Sequence, residues 1–310
     1  MAHSPAVSRV APPLLVALAL LAVYLVWCST YLAIRFALEG YPPLFFPGLR
    51  FIAAGGVLYL LLRLRGVAAP TPRQWRNVAL IGVLLLNVGN GGVVIAERWV
   101  GSALAATAVA TVPLWAAVFA GIWGHWPVRM QWLGMVIGFA GIVVLNLGGD
   151  FAANPAAALL LTVASATWAF GSVWSRRLDL PKGLMSSACQ MLAAGVVFIA
   201  ASALRGESWT LLPGARAVGA LLYLTVFGSL LAFSAYMFLV QNVTPSLATS
   251  YAYVNPVVAL LLGLTLGGEH IVRSGYIAIA LVLLGVALIV YHNRPTPPPA
   301  AAARPVEADA

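Results

Sequence analysis

Proline and polar side chains interrupt two apolar stretches that are each long enough to cross a lipid bilayer. In the stretch from residue 246 to residue 263, Asn255 and Pro256 lie near the middle. Pro113 stands at the corresponding place in an earlier stretch that begins at Ser102. Proline removes a backbone donor and blocks the preceding helical turn, so the freed carbonyls need partners inside the membrane. Both prolines are therefore predicted helix breaks, and broken helices at membrane depth indicate a binding cavity.

Hydroxyl, aromatic and amide side chains accompany these two prolines. We expect the following of them to line the cavity: Thr111, Trp115, Ser250, Tyr251, Tyr253 and Asn255. Thr111 and Trp115 are four residues apart, which places them on one face of a helix. A second role is open for the hydroxyl groups, because they can instead bond the carbonyls that a proline leaves free.

A further apolar stretch contains two amides in the run Asn87-Val-Gly-Asn-Gly-Gly92. Amides in hydrocarbon must find partners, so Asn87 and Asn90 either seal helix packing or line the cavity. Trp27 and Trp168 stand well inside their stretches, whereas membrane tryptophan normally belongs to the interfacial belt. We assign all four side chains to the cavity, since such rings offer apolar area and an electron-rich face to amphipathic or cationic solutes.

Acidic side chains are scarce, and none lies clearly at mid-membrane depth. Glu97 ends the third apolar stretch and is the candidate for proton coupling, with a solvated charge at a helix end as the alternative. No catalytic pair is visible, because the four histidines all fall at termini or at the ends of apolar stretches. The chain also lacks a phosphate-binding loop and any cysteine spacing typical of a metal site, so we expect no enzyme activity, no cofactor and no metal.

Composition places the chain in a membrane. Its 310 residues are 62% hydrophobic and only 8% charged, whereas soluble domains are about one quarter charged. A net charge of +9 would favour nucleic-acid binding in a soluble protein. Here the arginines lie between the apolar stretches, where they act as topology signals. We therefore expect contact with lipid and with a small-molecule substrate, and none with nucleic acid.

Ten apolar stretches approach the roughly 20 residues that cross a bilayer. They run from Pro13 to Ala33, Leu44 to Leu62, Asn77 to Ala96, Ser102 to Trp123, Met130 to Leu147, Ala156 to Trp174, Leu184 to Leu204, Ala217 to Val240, Ser246 to Leu266 and Gly275 to Tyr291. The predicted fold class is an all-α integral membrane protein with ten transmembrane helices. Its predicted regions are a cytoplasmic N-terminus (1–11), a five-helix repeat (12–148), a linker (149–155), a second five-helix repeat (156–292) and a disordered cytoplasmic tail (293–310).

Two halves of the chain repeat one pattern. The match of Pro113 with Pro256 is accompanied by that of Trp27 with Trp168 and of residues 53–55 with residues 193–195. Because five spans is an odd number, the second copy must enter the membrane with opposite polarity. The sequence thus predicts two inverted repeats with a site between them near the membrane midplane.

Eight short motifs follow one another along the chain. Among them are Trp27-Cys-Ser-Thr-Tyr-Leu-Ala-Ile-Arg35, Ala110-Thr-Val-Pro-Leu-Trp115 and Ser250-Tyr-Ala-Tyr-Val-Asn-Pro256. Together they resemble the EamA family of the drug/metabolite transporter superfamily, and within it the YedA-type exporters. The resemblance implies ten helices in two inverted repeats, both termini in the cytoplasm, and export of small metabolites such as amino acids from the bacterial cytoplasm.

These observations favour a secondary transporter of the inner membrane that exports amino-acid-like or amphipathic drug-like solutes by alternating access. A membrane receptor or assembly factor is one alternative, but it would need long loops or a sizeable soluble domain. An intramembrane enzyme is another, and it would need a coupled catalytic pair. The energy source is open between exchange driven by a solute gradient and proton antiport through Glu97.

The orientation can be tested with reporter fusions, because cytoplasmic loops carry the excess of lysine and arginine. With the N-terminus inside, 11 of the 17 basic residues fall on the cytoplasmic side. Fusions after Arg65, Asp150 and Arg294 are expected to report inside, outside and inside. An inside signal after Asp150 would contradict the inverted arrangement.

Overall fold

The structure is a computed structural model that describes residues 12–100, 102–145, 155–208, 213–266 and 273–292. Three expectations fall outside these residues: the cytoplasmic N-terminus at 1–11, all but the last residue of the linker, and the tail from residue 293.

Helices account for all the regular structure in the described ranges, so the prediction of an all-α membrane protein is confirmed. In chain order they are α1 (Pro13–Leu38), α2 (Phe45–Leu64), α3 (Pro72–Ala96), α4 (Ser102–Val109), α5 (Val112–Ile122), α6 (Arg129–Leu145), α7 (Pro155–Ser175), α8 (Leu184–Leu204), α9 (Ala215–Asn242), α10 (Pro245–Ala248), α11 (Tyr251–Leu266) and α12 (Arg273–Tyr291). The ten-span inverted arrangement stays a prediction.

Among the described helices, six are long and apolar enough to cross a membrane: α1, α2, α3, α7, α8 and α9. Their outer faces carry large apolar side chains, as on α1, where Leu18, Leu21 and Leu25 are more than half exposed. In water such a surface would be an aggregation liability, but in a bilayer it faces lipid. The inward faces pack many alanine and glycine residues, which let membrane helices approach closely.

Short turns divide two of the expected spans. Between α4 and α5 the turn is at residues 110–111, and Pro113 is the second residue of α5, where its missing N–H breaks no helical hydrogen bond. Between α10 and α11 the turn is at residues 249–250, and Pro256 lies inside α11. Both interruptions therefore precede their prolines, and Pro256 removes one backbone donor within a helix instead of forming the break itself.

Hydroxyl groups satisfy carbonyls at these turns. Thr111 Oγ1 donates to the Ala108 carbonyl at 2.8 Å. Thr249 Oγ1 donates to the Pro245 carbonyl, also at 2.8 Å. Because lipid would supply no partner for a free carbonyl, these bonds are of the kind that the two expected spans need at their turns. Of the two roles that the sequence leaves open for hydroxyl groups, Thr111 thus has the one of bonding a free carbonyl.

Two long helices widen into π-helical segments, at residues 83–90 in α3 and at residues 224–233 in α9. Val83 and Leu224, which begin these segments, are separated by the same interval as Trp27 and Trp168. The two segments thus occupy corresponding places in the two halves of the chain. π-Helical turns are uncommon and are often found at functional sites.

Helices α2 and α8 pack closely through glycine. A Cβ atom on Gly55 would lie 2.7 Å from the backbone nitrogen of Leu192, and one on Gly195 would lie 2.8 Å from that of Ile52. The contacts are reciprocal, because Gly55 and Gly195 are matched residues of the two halves. Gly48 meets Ile199 further along, so the two helices run antiparallel. A similar close approach joins α6 and α12.

Candidate functional site

A cavity lies among helices from both halves of the chain. It is lined by residues of α1, α2, α3, α7, α9 and α11 together with Val109 at the end of α4 and Val112 at the start of α5. The space between its lining atoms is ≈ 650 Å³ when the open mouth is counted. Both π-helical segments contribute to its wall, through Leu86, Gly89 and Asn90 on one side and Gly228 and Phe233 on the other. Of the residues that the sequence assigns to a cavity, Trp27, Asn90, Trp168, Tyr251 and Asn255 line this one.

Four aromatic rings form a cluster on this cavity. The Trp27 ring meets the Trp168 ring edge to face at a centroid distance of 5.5 Å and the Tyr251 ring at 4.7 Å. Tyr236 completes the cluster, 5.1 Å from Trp27 and 5.3 Å from Trp168. Each ring comes from a different helix, so the cluster joins α1, α7, α9 and α11. Edge-to-face contacts of this kind are favourable beyond the apolar area that they bury.

Hydrogen bonds to Tyr236 hold the cluster in position. Trp168 Nε1 donates to the Tyr236 hydroxyl at 2.9 Å, and the same hydroxyl lies 2.6 Å from Ser172 Oγ. Trp27 Nε1 donates to the Gly228 carbonyl at 3.4 Å. With both indole N–H groups bonded to protein, the rings present apolar and π surface to a solute.

Two amides in the cavity wall keep unused hydrogen-bonding atoms. Asn90 Oδ1 and Asn255 Nδ2 are buried and have no partner among the described residues. The other amide atom of Asn255, Oδ1, accepts a long bond from Cys28 Sγ at 3.4 Å. Buried polar atoms in proteins are nearly always bonded, so these two are available to a solute or to water in the cavity.

Five other predicted cavity residues lie away from this wall. Asn87 Nδ2 donates to the Ala194 carbonyl of α8 at 3.0 Å, which is a helix-packing contact. Ser250 Oγ donates to the Leu247 carbonyl at 2.7 Å and lies 2.6 Å from the Tyr24 hydroxyl. Thr111 has the capping role described above.

The remaining two of these five are aromatic. Trp115 stacks on Phe119 at a centroid distance of 6.1 Å. Tyr253 is fully buried, and its ring packs where a Cβ atom on Gly138 of α6 would lie 3.3 Å away. The Tyr253 hydroxyl has no partner among the described residues. Trp115 thus contacts a neighbour on its own helix, whereas Tyr253 packs between α11 and α6, and neither side chain lines the cavity.

Glu97 directly follows the last residue of α3. It is only 7% exposed, and both carboxyl oxygens are buried without a hydrogen-bond partner in the described part of the chain. Burial of this kind favours the neutral, protonated carboxyl group. Its electrostatic neighbours are Arg35 and Tyr31, and Tyr31 lines the cavity. Glu97 is thus not the solvated helix-end charge that the sequence leaves open as the alternative.

Arg50 is a cavity residue that the sequence reasoning misses. It lies within α2 and is only 3% exposed. The count of basic residues on the two sides of the membrane instead places it in an outer loop, among those that are not cytoplasmic. The signal was available, since an ionisable residue inside an apolar span is by default a functional candidate.

A second, wider opening lies near the ends of α5 and α7. Its lining includes Trp123, His125, Arg176 and Arg177. Both arginines are exposed to solvent, and Arg177 Nη2 donates to the Trp123 carbonyl at 3.3 Å. Solvent satisfies charges at such a surface, so it is less suited than the cavity to select a solute.

Two buried tyrosines allow a matched test of the ring cluster. In Tyr236→Phe, Trp168 Nε1 loses the acceptor that it has among the described residues and Ser172 loses a partner, so we expect unfolding to be easier by about 1–3 kcal/mol. Tyr253→Phe removes a hydroxyl that bonds to nothing in the described part of the chain, so little loss or a slight gain is expected. Thermal unfolding of the two purified variants in detergent measures the difference. Equal losses would contradict the role given to Tyr236.

Known proteins resemble the chain over most of its length. The EamA-like transporter family matches residues 14–147 and again residues 155–291. An "Uncharacterized inner membrane transporter YedA" of Escherichia coli (strain K12) is 49% identical over 272 residues, which cover 87% of this chain and 89% of that protein. A "S-adenosylmethionine/S-adenosylhomocysteine transporter" of Chlamydia muridarum (strain MoPn / Nigg) is 26% identical over 287 residues, covering 86% and 89%.

A solved crystal structure shares the fold. Its TM-score is 0.74 at 22% sequence identity, and the match covers 89% of this chain and 96% of that one. The double family match and the 49% identity to an inner membrane transporter agree with the membrane-length apolar helices described above. The chain belongs to the EamA-like transporter family.

Proposed function

We propose that the protein is a secondary transporter that exports small amino-acid-like or amphipathic drug-like solutes across the bacterial inner membrane. The observation that carries this proposal is the cavity between the two halves, where aromatic rings stand beside polar atoms that have no partner among the described residues. Small-molecule sites commonly combine apolar walls with a few polar groups. The name of the Chlamydia relative supports an amino-acid-like cargo, since both compounds in it are amino-acid derivatives.

Alternating access requires two similar halves that move against each other. Reciprocal contacts of Gly55 and Gly195 between antiparallel helices are those expected of two copies related by a two-fold axis. The π-helical segments at matched places in α3 and α9 support the same arrangement. We infer ten spans in two inverted repeats, with both termini in the cytoplasm.

We also propose that Glu97 couples transport to a proton gradient. Protonation keeps this buried group neutral, and loss of the proton would place a charge one helical turn beyond Val93 of the cavity wall. A proton gradient could therefore bias which side of the cavity opens. Without such coupling, the solute gradient alone would drive exchange.

Transport is tested with the full chain in liposomes loaded with a panel of labelled amino acids. We expect wild-type protein to move at least one of them, and Asn255→Ala to lower that flux by about tenfold or more, as for loss of one hydrogen bond in the site. Asn242→Ala is the matched control, because Asn242 is exposed and its Nδ2 donates to the Phe238 carbonyl of its own helix at 2.8 Å. No flux of any solute through folded protein would contradict transport.

The same liposomes test coupling. If Glu97 couples the proton, an imposed pH gradient will speed wild-type flux but leave Glu97→Gln unaffected, because the amide cannot release a proton. A pH response that persists in Glu97→Gln would exclude this role.

A further inference from the structure

Arg50 places a guanidinium group in the wall of the cavity. It is the sixth residue of α2, only 3% exposed, in a helix that is apolar enough to cross a membrane. Among the described residues that line the cavity, it is the only one that carries a charge at neutral pH. The cavity is therefore positive. A buried charge is retained in such a place only when something compensates it.

The protein orients the guanidinium without fully satisfying it. Arg50 Nε donates to Ser229 Oγ of α9 at 2.7 Å. Nη1 is buried and has no hydrogen-bond partner among the described residues. Nη2 lies against Gly228, where an added Cβ atom would be only 2.7 Å away. The guanidinium carbon also lies 4.8 Å from the centroid of the Phe51 ring. The protein therefore holds the guanidinium through Nε, whereas Nη1 is free to bond a ligand in the cavity.

No carboxylate of the described chain neutralises Arg50. Glu39 pairs with Arg216 at 3.4 Å. Glu207 accepts from the backbone nitrogen of Phe45 at 2.9 Å and so caps α2.

The other two acidic residues in the described ranges interact with groups other than Arg50. Asp179 accepts from Gln74 Nε2 at 3.1 Å. Glu97 has Arg35 as its charged neighbour. Within the described part of the chain, no acidic side chain supplies the counter-charge of Arg50, so a bound anion can supply it.

We infer that Arg50 binds the carboxylate of an amphipathic solute whose apolar part lies against Trp27, Trp168 and Tyr251. A guanidinium fork matches the two oxygens of a carboxylate, and the bonds are strong because both groups are charged. The rings of the cluster supply the apolar surface for the rest of the molecule. This inference rests on the proposed function and names the chemical class of its substrate.

Binding to purified full-length protein tests the inference without reference to flux. Two probe pairs differ only in the acid group: 3-phenylpropanoate with 3-phenylpropanamide, and L-phenylalanine with L-phenylalaninamide. A ligand that binds the folded state raises its thermal stability, so titration of the melting temperature gives an apparent Kd. We expect each carboxylate to bind wild-type protein at least tenfold more tightly than its amide.

Variants assign that preference to Arg50. Arg50→Gln is expected to abolish the preference, and Arg50→Lys to leave a small part of it, because lysine keeps the charge but not the fork. Ser229→Ala is expected to weaken carboxylate binding several-fold by releasing Nε. Arg98→Gln is the matched control, since Arg98 is exposed and lies outside the cavity. It should bind as wild type does.

Each result decides the inference. Equal binding of acid and amide, absence of carboxylate binding to wild type, or an unchanged preference in Arg50→Gln would overturn it. If Arg50→Gln does not fold, an unchanged preference in both Arg50→Lys and Ser229→Ala would overturn it as well. Carboxylate binding without flux would contradict transport but leave the anion site intact. Flux of a solute without a preference for carboxylates would support transport but contradict the anion site at Arg50.

Discussion

Inside a bilayer, a polar group that lacks a protein partner has no water to replace it, and this constraint shapes most of the structure. At the interruptions near Pro113 and Pro256, hydroxyl groups take up free carbonyls. Where α3 meets α8, the Asn87 amide bonds a backbone carbonyl. Several buried polar atoms of the described residues still lack a partner, including those of Glu97 and Tyr253 outside the cavity wall. Three such atoms, on Asn90, Arg50 and Asn255, belong to residues that line one cavity. Their common location is the reason to regard the cavity as a binding site.

Rigid and adaptable parts are combined in this cavity. The ring cluster is fixed by Tyr236, which bonds Trp168 and contacts Trp27, so that helices from both halves are held together on one side. The adaptable part consists of the π-helical turns in α3 and α9, where the backbone is wound less tightly. Close glycine contacts keep α2 and α8 together along their length. A transporter needs both a constant site and elements that can rearrange around it.

Much of this organisation follows from local signals in the sequence. Apolar length predicts the helices, proline marks the interrupted spans, and the repeat pairs Trp27 with Trp168. The turn at residues 249–250 could not be placed from Pro256, because hydroxyl bonds to carbonyls decide where the helix ends. Asn87 and Asn90 are the same residue type in one short run, so the sequence does not distinguish them. The structure does, because Asn87 bonds a carbonyl of α8 whereas Asn90 lines the cavity. Arg50 was missed because counting arginines for topology treats each one as a loop charge.

A structure of the protein with 3-(4-iodophenyl)propanoate would test the central claim most directly, because iodine marks the apolar end of the molecule in density maps. The account predicts both carboxylate oxygens about 2.7–3.2 Å from guanidinium nitrogens of Arg50, with the iodophenyl ring against Trp27 and Trp168. Iodine density confined to the opening at Arg176 and Arg177, with the Arg50 cavity holding no ligand, would contradict it.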